Sequence, residues 1–441
     1  MGNPAHEATT RNLGALYPFM AEAGMGVDGV LVGRDLLGGA FSYDPFALYR
    51  RGLLTNPNMV VVGQIGRGKS AFVKTYLWRQ AAFGRRAWVV DPKGEYGALA
   101  AAWGVAPVAL RPGGRVRLNP LDTATTAPSP AGVTDEDVRR RSELLASLSG
   151  ASLGRTLLPP ERSALDLAVT EVSSRATARR GDGTRASPTL PEVVDALLHP
   201  APASARAVGT DVAGLAADGR HVALELRRLV AGDLRGMFDG PTTAGLRLDA
   251  PLVVLDMSAV YHSAALGVLM TCATAWLQAA LVGGDRSGPG DGVVLVVDEA
   301  WAILANLGVA RWLQSSWKLS RARGVANVAV LHRLSDLDAA GASGSEQAGL
   351  ARGLLADSET RVVYAQAPGE VERATPLLGL SDTEADLLPH LGRGVALWKV
   401  GTRSFLVEHR LSPGEGAIVD TDARMGGGPA AAPWRHASAG P

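Results

Sequence analysis

The stretch MVVVGQIGRGKS, residues 59–70, decides the fold. An apolar run, Met59–Val62, leads into a glycine-rich loop, and residues 69–83 then have the character of a helix. A second apolar run at 87–90 ends in Asp91-Pro92. Strands that alternate with helices in this way are typical of βαβ units. The sequence therefore predicts an α/β fold with a mainly parallel sheet.

The loop GQIGRGKS, residues 63–70, matches the pattern G-x-x-x-x-G-K-[ST]. Its glycines permit backbone conformations that side chains forbid, so its N–H groups can turn inward around phosphate oxygens. The helix that follows adds the positive end of its dipole. Lys69 is predicted to reach the β- and γ-phosphates, and Ser70 to offer its hydroxyl to Mg²⁺. The predicted nucleotide-binding residues are Gly63, Gln64, Ile65, Gly66, Arg67, Gly68, Lys69, Ser70 and Ala71.

A second signal is the run VVLVVDEA, residues 293–300, which places Asp298 and Glu299 at the end of a wholly apolar strand. Open α/β sheets bind their ligands at this edge. Two buried carboxylates are costly unless a cation or a reaction uses them. Asp298 is therefore predicted to hold Mg²⁺, directly or through water, and Glu299 to orient or deprotonate an attacking water. A water acceptor indicates a hydrolase rather than a kinase.

Other polar residues follow strands of the same predicted sheet. Asp91 and Glu95 in VVDPKGEYGAL could touch metal-bound water, or they could cap a turn into a helix. Asp256 ends a further strand and could equally be a solvated terminus. His332 ends the strand 325–331, at a position from which a polar side chain can sense the γ-phosphate, or it could simply be exposed.

Phosphoryl transfer often uses an arginine, supplied by the same chain or by a neighbouring subunit. The candidates are Arg321 and Arg323, just before the strand at 325–331, and Arg361. Lysine is scarce, with 5 residues against 39 arginines, and both Lys69 and Lys93 lie inside motifs.

Composition narrows the class of protein. The 441 residues are 46% hydrophobic and carry a net charge of +1, which supports a buried core and gives no overall basic field for nucleic acid. The single cysteine, Cys272, excludes an internal disulfide and a thiolate-rich metal site.

The first twelve residues are polar and lack the apolar region of a signal peptide, which favours a cytoplasmic protein. The uncharged segment 263–284 is long enough to span a membrane, but its polar residues and flanking strands favour a buried crossover helix.

Five segments are predicted along the chain. Residues 1–56 form a lead-in with a disordered start and an edge strand or turn. Residues 57–121 and 246–412 are the two parts of the nucleotide-binding core, 122–245 are an inserted, mainly helical subdomain, and 413–441 are a disordered tail. Within the second part of the core, we expect strands at 252–257, 293–300, 325–331 and 361–367, a core-facing helix at 308–321, a capping box at Ser381 and Glu384, and a terminal hairpin built from VALWKV and SFLVEHR.

At these motifs the sequence resembles the TraC-type conjugation ATPases of type IV secretion, within the FtsK/HerA superfamily of P-loop motors. The resemblance covers about residues 27–410. The matching segments are GQIGRGKS, VVDPKGEYGAL, RLNPLD (117–122), GDLRGMFDGPT (232–242), VVLDMS and VVLVVDEAW. It departs at the sensor position, where His332 stands in place of the usual glutamine, and in the short segment that precedes the phosphate loop.

The resemblance implies a RecA-like core with a helical insertion. It also implies a hexameric or otherwise oligomeric ATPase that uses ATP and Mg²⁺. Such ATPases often lie at the inner face of the cytoplasmic membrane, with partners in a secretion or conjugation apparatus. Lys69 and Ser70 would bind nucleotide and Mg²⁺, Asp298 and Glu299 would serve hydrolysis, and Arg321 would act in trans on the neighbouring subunit's nucleotide.

Three functions remain open at this point. The first is an ATP-hydrolysing motor of a secretion or conjugation-like system. The second is a double-stranded DNA translocase or coupling protein, which DNA-stimulated, salt-sensitive hydrolysis would favour. The third is a nucleotide-dependent assembly scaffold with little turnover, suggested by the missing sensor glutamine.

Overall fold

The computed structural model describes residues 25–26, 28–122, 134–178, 187–232, 234–246, 250–263, 265–282, 292–304, 310, 313–314, 317–318, 324–332, 349, 353–355 and 357–419. The strands of this part of the chain are β1 (Val30–Asp35), β2 (Ala40–Tyr43), β3 (Met59–Val62), β4 (Arg86–Asp91), β5 (Val108–Ala109), β6 (Leu252–Asp256), β7 (Val293–Val297), β8 (Val325–Leu331), β9 (Thr360–Tyr364), β10 (Val395–Val400) and β11 (Arg403–His409).

All of these strands join one sheet, in the order β2-β1-β11-β10-β9-β3-β8-β7-β4-β6-β5. From β9 to β5 every neighbouring pair is parallel. From β9 to β2 every pair is antiparallel. The predicted parallel core is therefore confirmed. The lead-in and the terminal hairpin extend it as an antiparallel wing.

The helices of the described residues are α1 (Pro45–Arg50), α2 (Lys69–Gln80), α3 (Gly97–Ala102), α4 (Asp135–Leu153), α5 (Pro159–Ala178), α6 (Leu190–Leu198), α7 (Pro202–Ala207), α8 (Val212–Ala231), α9 (Leu266–Val282), α10 (Trp301–Leu304), α11 (Pro368–Leu378), α12 (Asp382–Leu387) and α13 (Gly416–Val419). Short 3₁₀ turns occur at Ala81–Phe83, Ser258–Val260, Leu388–His390 and Pro413–Glu415.

Both faces of the parallel sheet are buried. Along β3, Val60 and Val62 belong to one apolar cluster, while Met59 and Val61 belong to another, and none of the four is more than 2% exposed. Side chains alternate between the faces of a strand, so the two clusters are the two sides of the sheet. This double burial explains why the core strands are apolar throughout rather than alternating with polar residues.

The helical insertion lies on one of these faces. Helices α4 to α8 fall between residues 135 and 231, and their buried side chains share one apolar cluster with the sheet. The ends of the insertion meet at its base, where Thr242 Oγ1 donates a hydrogen bond to Asp122 and accepts one from the backbone of Asn119. Arg117 also pairs with Asp239 at 2.9 Å. The motifs RLNPLD and GMFDGPT therefore bond to each other where the two ends of the insertion meet.

The apolar segment 263–284 contains α9, which connects β6 to β7 on opposite sides of β4. Thr271 and Thr274 donate their hydroxyl protons to the backbone one turn earlier, so they are accommodated without solvent. Cys272 is fully buried in this helix. The predicted crossover helix is confirmed. Among the described residues, no helix is both long and apolar enough to span a membrane.

The C-terminal part of the chain, from residue 308 onward, differs in part from the sequence prediction. The capping box is present, with reciprocal hydrogen bonds between Ser381 and Glu384. The helix expected at 308–321 lies largely outside the described residues, but its Ala310, Leu313 and Trp317 are buried as predicted. Residues 413–419, assigned above to a disordered tail, instead form a 3₁₀ turn and α13. Glu415 holds them in place through an ion pair with Arg79 of α2.

Candidate functional site

Four neighbouring strands bring the predicted residues to one edge of the sheet. Strands β3, β8, β7 and β4 are adjacent and parallel, so their carboxyl ends lie side by side. The phosphate loop follows β3, His332 follows β8, Asp298 and Glu299 follow β7, and the segment from Asp91 ends β4. This is the edge at which open α/β sheets bind their ligands.

The phosphate loop turns from β3 into α2 on left-handed glycines. Gly66 and Gly68 have φ values of +77° and +113°, which side chains rarely adopt. Gly63 has no room for a side chain, because a Cβ there would overlap the Cβ of Tyr364 on β9. Ile65 at the tip of the loop is 74% exposed. The loop is thus a bare main-chain surface at the N-terminus of a helix, which suits a phosphate group.

Two neighbouring segments support this loop. The backbone N–H of Gln64 donates to Ala365 O at 3.1 Å, and the N–H of Gly394 donates to Arg67 O at 2.9 Å. The side chain of Arg67 bonds the side-chain oxygen of Gln64. Ser70 and Ala71 begin α2 and are half-buried. The antiparallel wing and β9 therefore hold the phosphate loop from the side away from β8.

Lys69 is folded back onto its own loop. Its ammonium donates to the carbonyl oxygens of Gly63 and Gln64, the latter at 2.9 Å, and the residue is 3% exposed. Burial lowers the pKa of Lys69 to about 8, although the negative charges of Asp298 and Glu299 act to raise it. An incoming phosphate would replace the two carbonyls with a stronger, charged acceptor.

Asp298 lies at the end of β7 and is 3% exposed. The carboxylate accepts hydrogen bonds from the Tyr96 hydroxyl at 3.2 Å and from the backbone N–H of Glu299 at 2.9 Å. Burial, together with the charges of Glu299 and Asp91, raises its pKa to about 6. A buried carboxylate with this high a pKa is energetically costly when ionised, and a bound cation would remove that cost.

The raised pKa of Asp298 predicts how stability depends on pH. Its folded pKa of about 6 lies above the usual 3.8, so this group favours folding at low pH and loses that contribution as pH rises through 6. We expect Asp298→Asn to raise the free energy of unfolding by about 2–3 kcal/mol at pH 8 without metal or nucleotide. Urea denaturation measures this change. The gain should shrink towards zero near pH 4. Asp256→Asn, at the half-exposed end of β6, is the control, and an equal gain there would contradict the prediction.

Glu299 is held by side chains from three different elements. Its carboxylate contacts Lys93 Nζ after β4, His332 Nε2 after β8 and the Trp301 indole N–H on α10. Burial acts to raise the pKa of Glu299, but these hydrogen bonds outweigh it and lower the pKa to about 2. The residue has a φ of +52°, the only left-handed non-glycine among the described residues. Such strain is characteristic of functional sites.

Asp91 has a structural role at this edge. Its Oδ1 accepts the backbone N–H groups of Lys93, Gly94 and Glu95, and its Oδ2 accepts that of Tyr96. Of the two readings of DPKGEY, the structure supports the capped turn. That turn sends Tyr96 to Asp298 and Lys93 to Glu299. Sequence reasoning assigned no role to either residue, although the scarcity of lysine singled out Lys93.

The arginine candidates separate clearly. Arg361 lies on β9, where its guanidinium donates to the carbonyl oxygens of Leu378 and Leu355, so it supports the fold and is not available to a phosphate. Arg321 and Arg323 lie outside the described residues.

The residues at this edge fit a nucleoside triphosphate with Mg²⁺. Among the described residues, no cluster of three His, Cys, Asp or Glu side chains could hold a metal on its own. Mg²⁺ is typically bound through one or two protein oxygens, substrate phosphates and water. Ser70 and Asp298 would supply the protein oxygens. A bound cation would also offset the cost of ionising the buried Asp298 carboxylate, whose pKa is raised.

Known proteins of the same fold have been solved. VirB4 of Thermoanaerobacter pseudethanolicus superposes with a TM-score of 0.69 at 24% identity, covering 89% of this chain and 99% of that one. The plasmid coupling protein TrwB in complex with ADP and Mg²⁺ superposes with a TM-score of 0.54 at 16% identity, covering 80% and 86%. No protein-family model matches the chain, and no curated protein matches it either. The chain has the RecA-like fold that the sequence resemblance predicts.

Proposed function

We propose that the protein is a Mg²⁺-dependent ATPase, the motor of a conjugation or type IV secretion-like system. The observation that carries this proposal is the meeting of the phosphate loop with Asp298 and Glu299 at one sheet edge. The fold shared with VirB4 and with TrwB, a conjugative coupling protein that has been solved with ADP and Mg²⁺, supports the biological setting.

The geometry supports a direct hydrolysis. The loop N–H groups and the Lys69 ammonium would bind the phosphates, and Ser70 and Asp298 would hold Mg²⁺, which neutralises charge on the β- and γ-phosphates. Glu299 would take a proton from water as the water oxygen attacks the γ-phosphorus. The bond from that phosphorus to the β-phosphate oxygen breaks, which leaves ADP and inorganic phosphate. His332 lies beside Glu299 and would orient the water or bond the γ-phosphate.

Assembly and location form part of the proposal. We expect a homo-hexamer in which Arg321 of one subunit reaches the nucleotide of the next. The partners would be proteins of a secretion or conjugation apparatus at the inner face of the cell membrane, where the ATPase would associate peripherally from the cytoplasm. Support comes from the sequence resemblance and the shared fold.

A second candidate function is a double-stranded DNA translocase or coupling protein. The similarity to TrwB favours it. The site is the same in both cases, and only the load differs.

Phosphate release by the purified chain tests the proposal, measured with Mg-ATP and Mg-GTP, with and without double-stranded DNA, while oligomer mass is recorded. We expect Mg²⁺-dependent turnover together with a ring-sized mass. Turnover that rises with DNA and falls steeply with salt would assign the DNA load. Nucleotide-driven assembly without phosphate release would contradict the motor and favour the scaffold.

A further inference from the structure

Tyr96 is a buried tyrosine that contacts both elements from which the predicted Mg²⁺ ligands come. It follows the turn of DPKGEY and directly precedes α3. The residue is 0% exposed, and its hydroxyl donates a hydrogen bond to Asp298 Oδ2 at 3.2 Å. No step of the proposed hydrolysis uses Tyr96 directly, so its effect on the reaction passes through Asp298.

The ring of Tyr96 contacts the helix that carries the other predicted ligand. The Lys74 ammonium lies 5.5 Å from the centre of this ring, within the range of a cation–π contact. Lys74 is buried and lies on α2, about one turn after Ser70. Since both groups are withdrawn from water, the contact is stronger than it would be at the surface. The ring of Tyr96 is thereby tied to the helix that presents Ser70.

The backbone of Tyr96 is fixed by the strand β4. The N–H of Tyr96 donates to Asp91 Oδ2 at 3.0 Å, and Asp91 is the last residue of β4. The N–H of Asp298 donates to Val90 O of the same strand at 3.2 Å. Strand β4 therefore supports both partners of the hydrogen bond between Tyr96 and Asp298. A hydroxyl held in this way fixes the direction of the carboxylate as well as its position.

We propose that Tyr96 is a positioning residue that sets the separation of Ser70 and Asp298 and thereby makes the site prefer Mg²⁺ to larger cations. Mg²⁺ requires nearly octahedral oxygens at about 2.0–2.1 Å, whereas Ca²⁺ accepts oxygens at about 2.3–2.6 Å in a flexible geometry. Two protein oxygens whose separation is held by one buried side chain suit the more demanding ion. This inference rests on the proposed Mg-nucleotide site and adds the residue that determines its metal preference.

The test measures nucleotide binding rather than turnover. Full-length Tyr96→Phe keeps the ring beside Lys74 and removes only the hydroxyl. Titrations with a fluorescent ADP analogue in Mg²⁺, in Ca²⁺ and in EDTA give the part of the affinity that depends on each metal. We expect Tyr96→Phe to lower the Mg²⁺-dependent affinity by about 5–10-fold and the Ca²⁺-dependent affinity by less than about 2-fold, because a loosened carboxylate still fits the less demanding ion. The affinity in EDTA should not change.

Tyr43→Phe is the matched control. Tyr43 is also 0% exposed, and its hydroxyl bonds Thr360 Oγ1 at 2.7 Å, at the opposite, amino end of β9. This variant loses a buried hydroxyl in the same way but should leave all three affinities unchanged. Lys74→Met removes the contact on the ring of Tyr96, and it should also lower the affinity in Mg²⁺ more than the affinity in Ca²⁺. It carries the same comparison if Tyr96→Phe does not fold.

Equal losses in Mg²⁺ and Ca²⁺, a loss in EDTA or no loss at all would overturn the proposal, because Tyr96 would then support only the fold or the phosphate loop. The outcome is separate from that of the proposed function. If the wild type binds the Mg-nucleotide but releases no phosphate, the ATPase fails while the metal comparison still stands. If the affinity of the wild type is the same in EDTA as in Mg²⁺, the metal site fails and the role of Tyr96 fails with it.

Discussion

Glu299→Gln is expected to lower ATP turnover by about 10²–10⁴-fold while Mg-ATP still binds. Glutamine keeps the size of the side chain and can still accept hydrogen bonds, but it cannot take a proton from water. The phosphate loop follows a different strand, β3, and the substitution leaves its backbone donors and Lys69 in place. Steady-state phosphate release and equilibrium binding of a fluorescent ATP analogue separate the two effects.

The matched control is Asp256→Asn. This is also an acid-to-amide change at the end of a parallel strand, on β6, and asparagine retains the oxygen that accepts the Ser258 N–H. We expect its turnover to stay within a few-fold of the wild type. Full activity in Glu299→Gln would remove Glu299 as the base and leave the ion pair with Lys93 as its only contribution.

Lys69→Met is expected to weaken Mg-ATP binding by about 10–100-fold, because a charge-assisted hydrogen bond to the phosphates is lost. Turnover should fall further, by about 10²–10³-fold, since the charge on the transferring phosphoryl group also goes unstabilised. Methionine keeps most of the apolar stem. Binding isotherms and phosphate release measure the two losses.

Stability provides the internal check for this variant. The pKa of Lys69 is about 8 in the folded protein, below its usual 10.5, so the fold disfavours the charged ammonium. At pH 7 this ammonium therefore lowers the free energy of unfolding, and the cost disappears as the pH rises from 8 to 10.5. We therefore expect Lys69→Met to unfold at the same or a higher urea concentration than the wild type at pH 7. Lys399→Met, which removes a distant, mostly buried ammonium, should bind ATP normally. Marked unfolding of Lys69→Met would mean that its lost activity reports structure rather than phosphate binding.

Much of the site could be predicted from the sequence because its residues lie in short local motifs. An apolar run followed by G-x-x-x-x-G-K-S specifies a strand, a loop and a helix start within twelve residues, so this pattern is recognisable without knowledge of distant residues. The same holds for Asp298 and Glu299, because an apolar strand must end at a polar edge. The strands near residues 252, 293, 325 and 360 were found for this reason, to within a few residues at their ends.

The details that the sequence analysis missed all depend on contacts between segments that are distant in the chain. Lys93 meets His332 across 239 residues, and Tyr96 meets Asp298 across 202, only because β8, β7 and β4 are neighbours in the sheet. Arg361 was a candidate for the arginine that contacts the phosphates, but its hydrogen bonds to the carbonyl oxygens of Leu378 and Leu355 hold its side chain in place. The packing of α13 on α2 through Glu415 and Arg79 is another contact between distant segments.

The sequence by itself determined the α/β class, the phosphate loop and the two acidic residues, because short-range periodicity and glycine placement encode them within single βα units. The tertiary structure alone decided which side chains surround Glu299, why Gly63 must lack a side chain beside Tyr364, and how RLNPLD and GMFDGPT bond to each other at the base of the insertion. The physical reason is that a parallel sheet brings together the carboxyl ends of strands that are remote in the chain. Their side chains form one site only after the order of the strands is established.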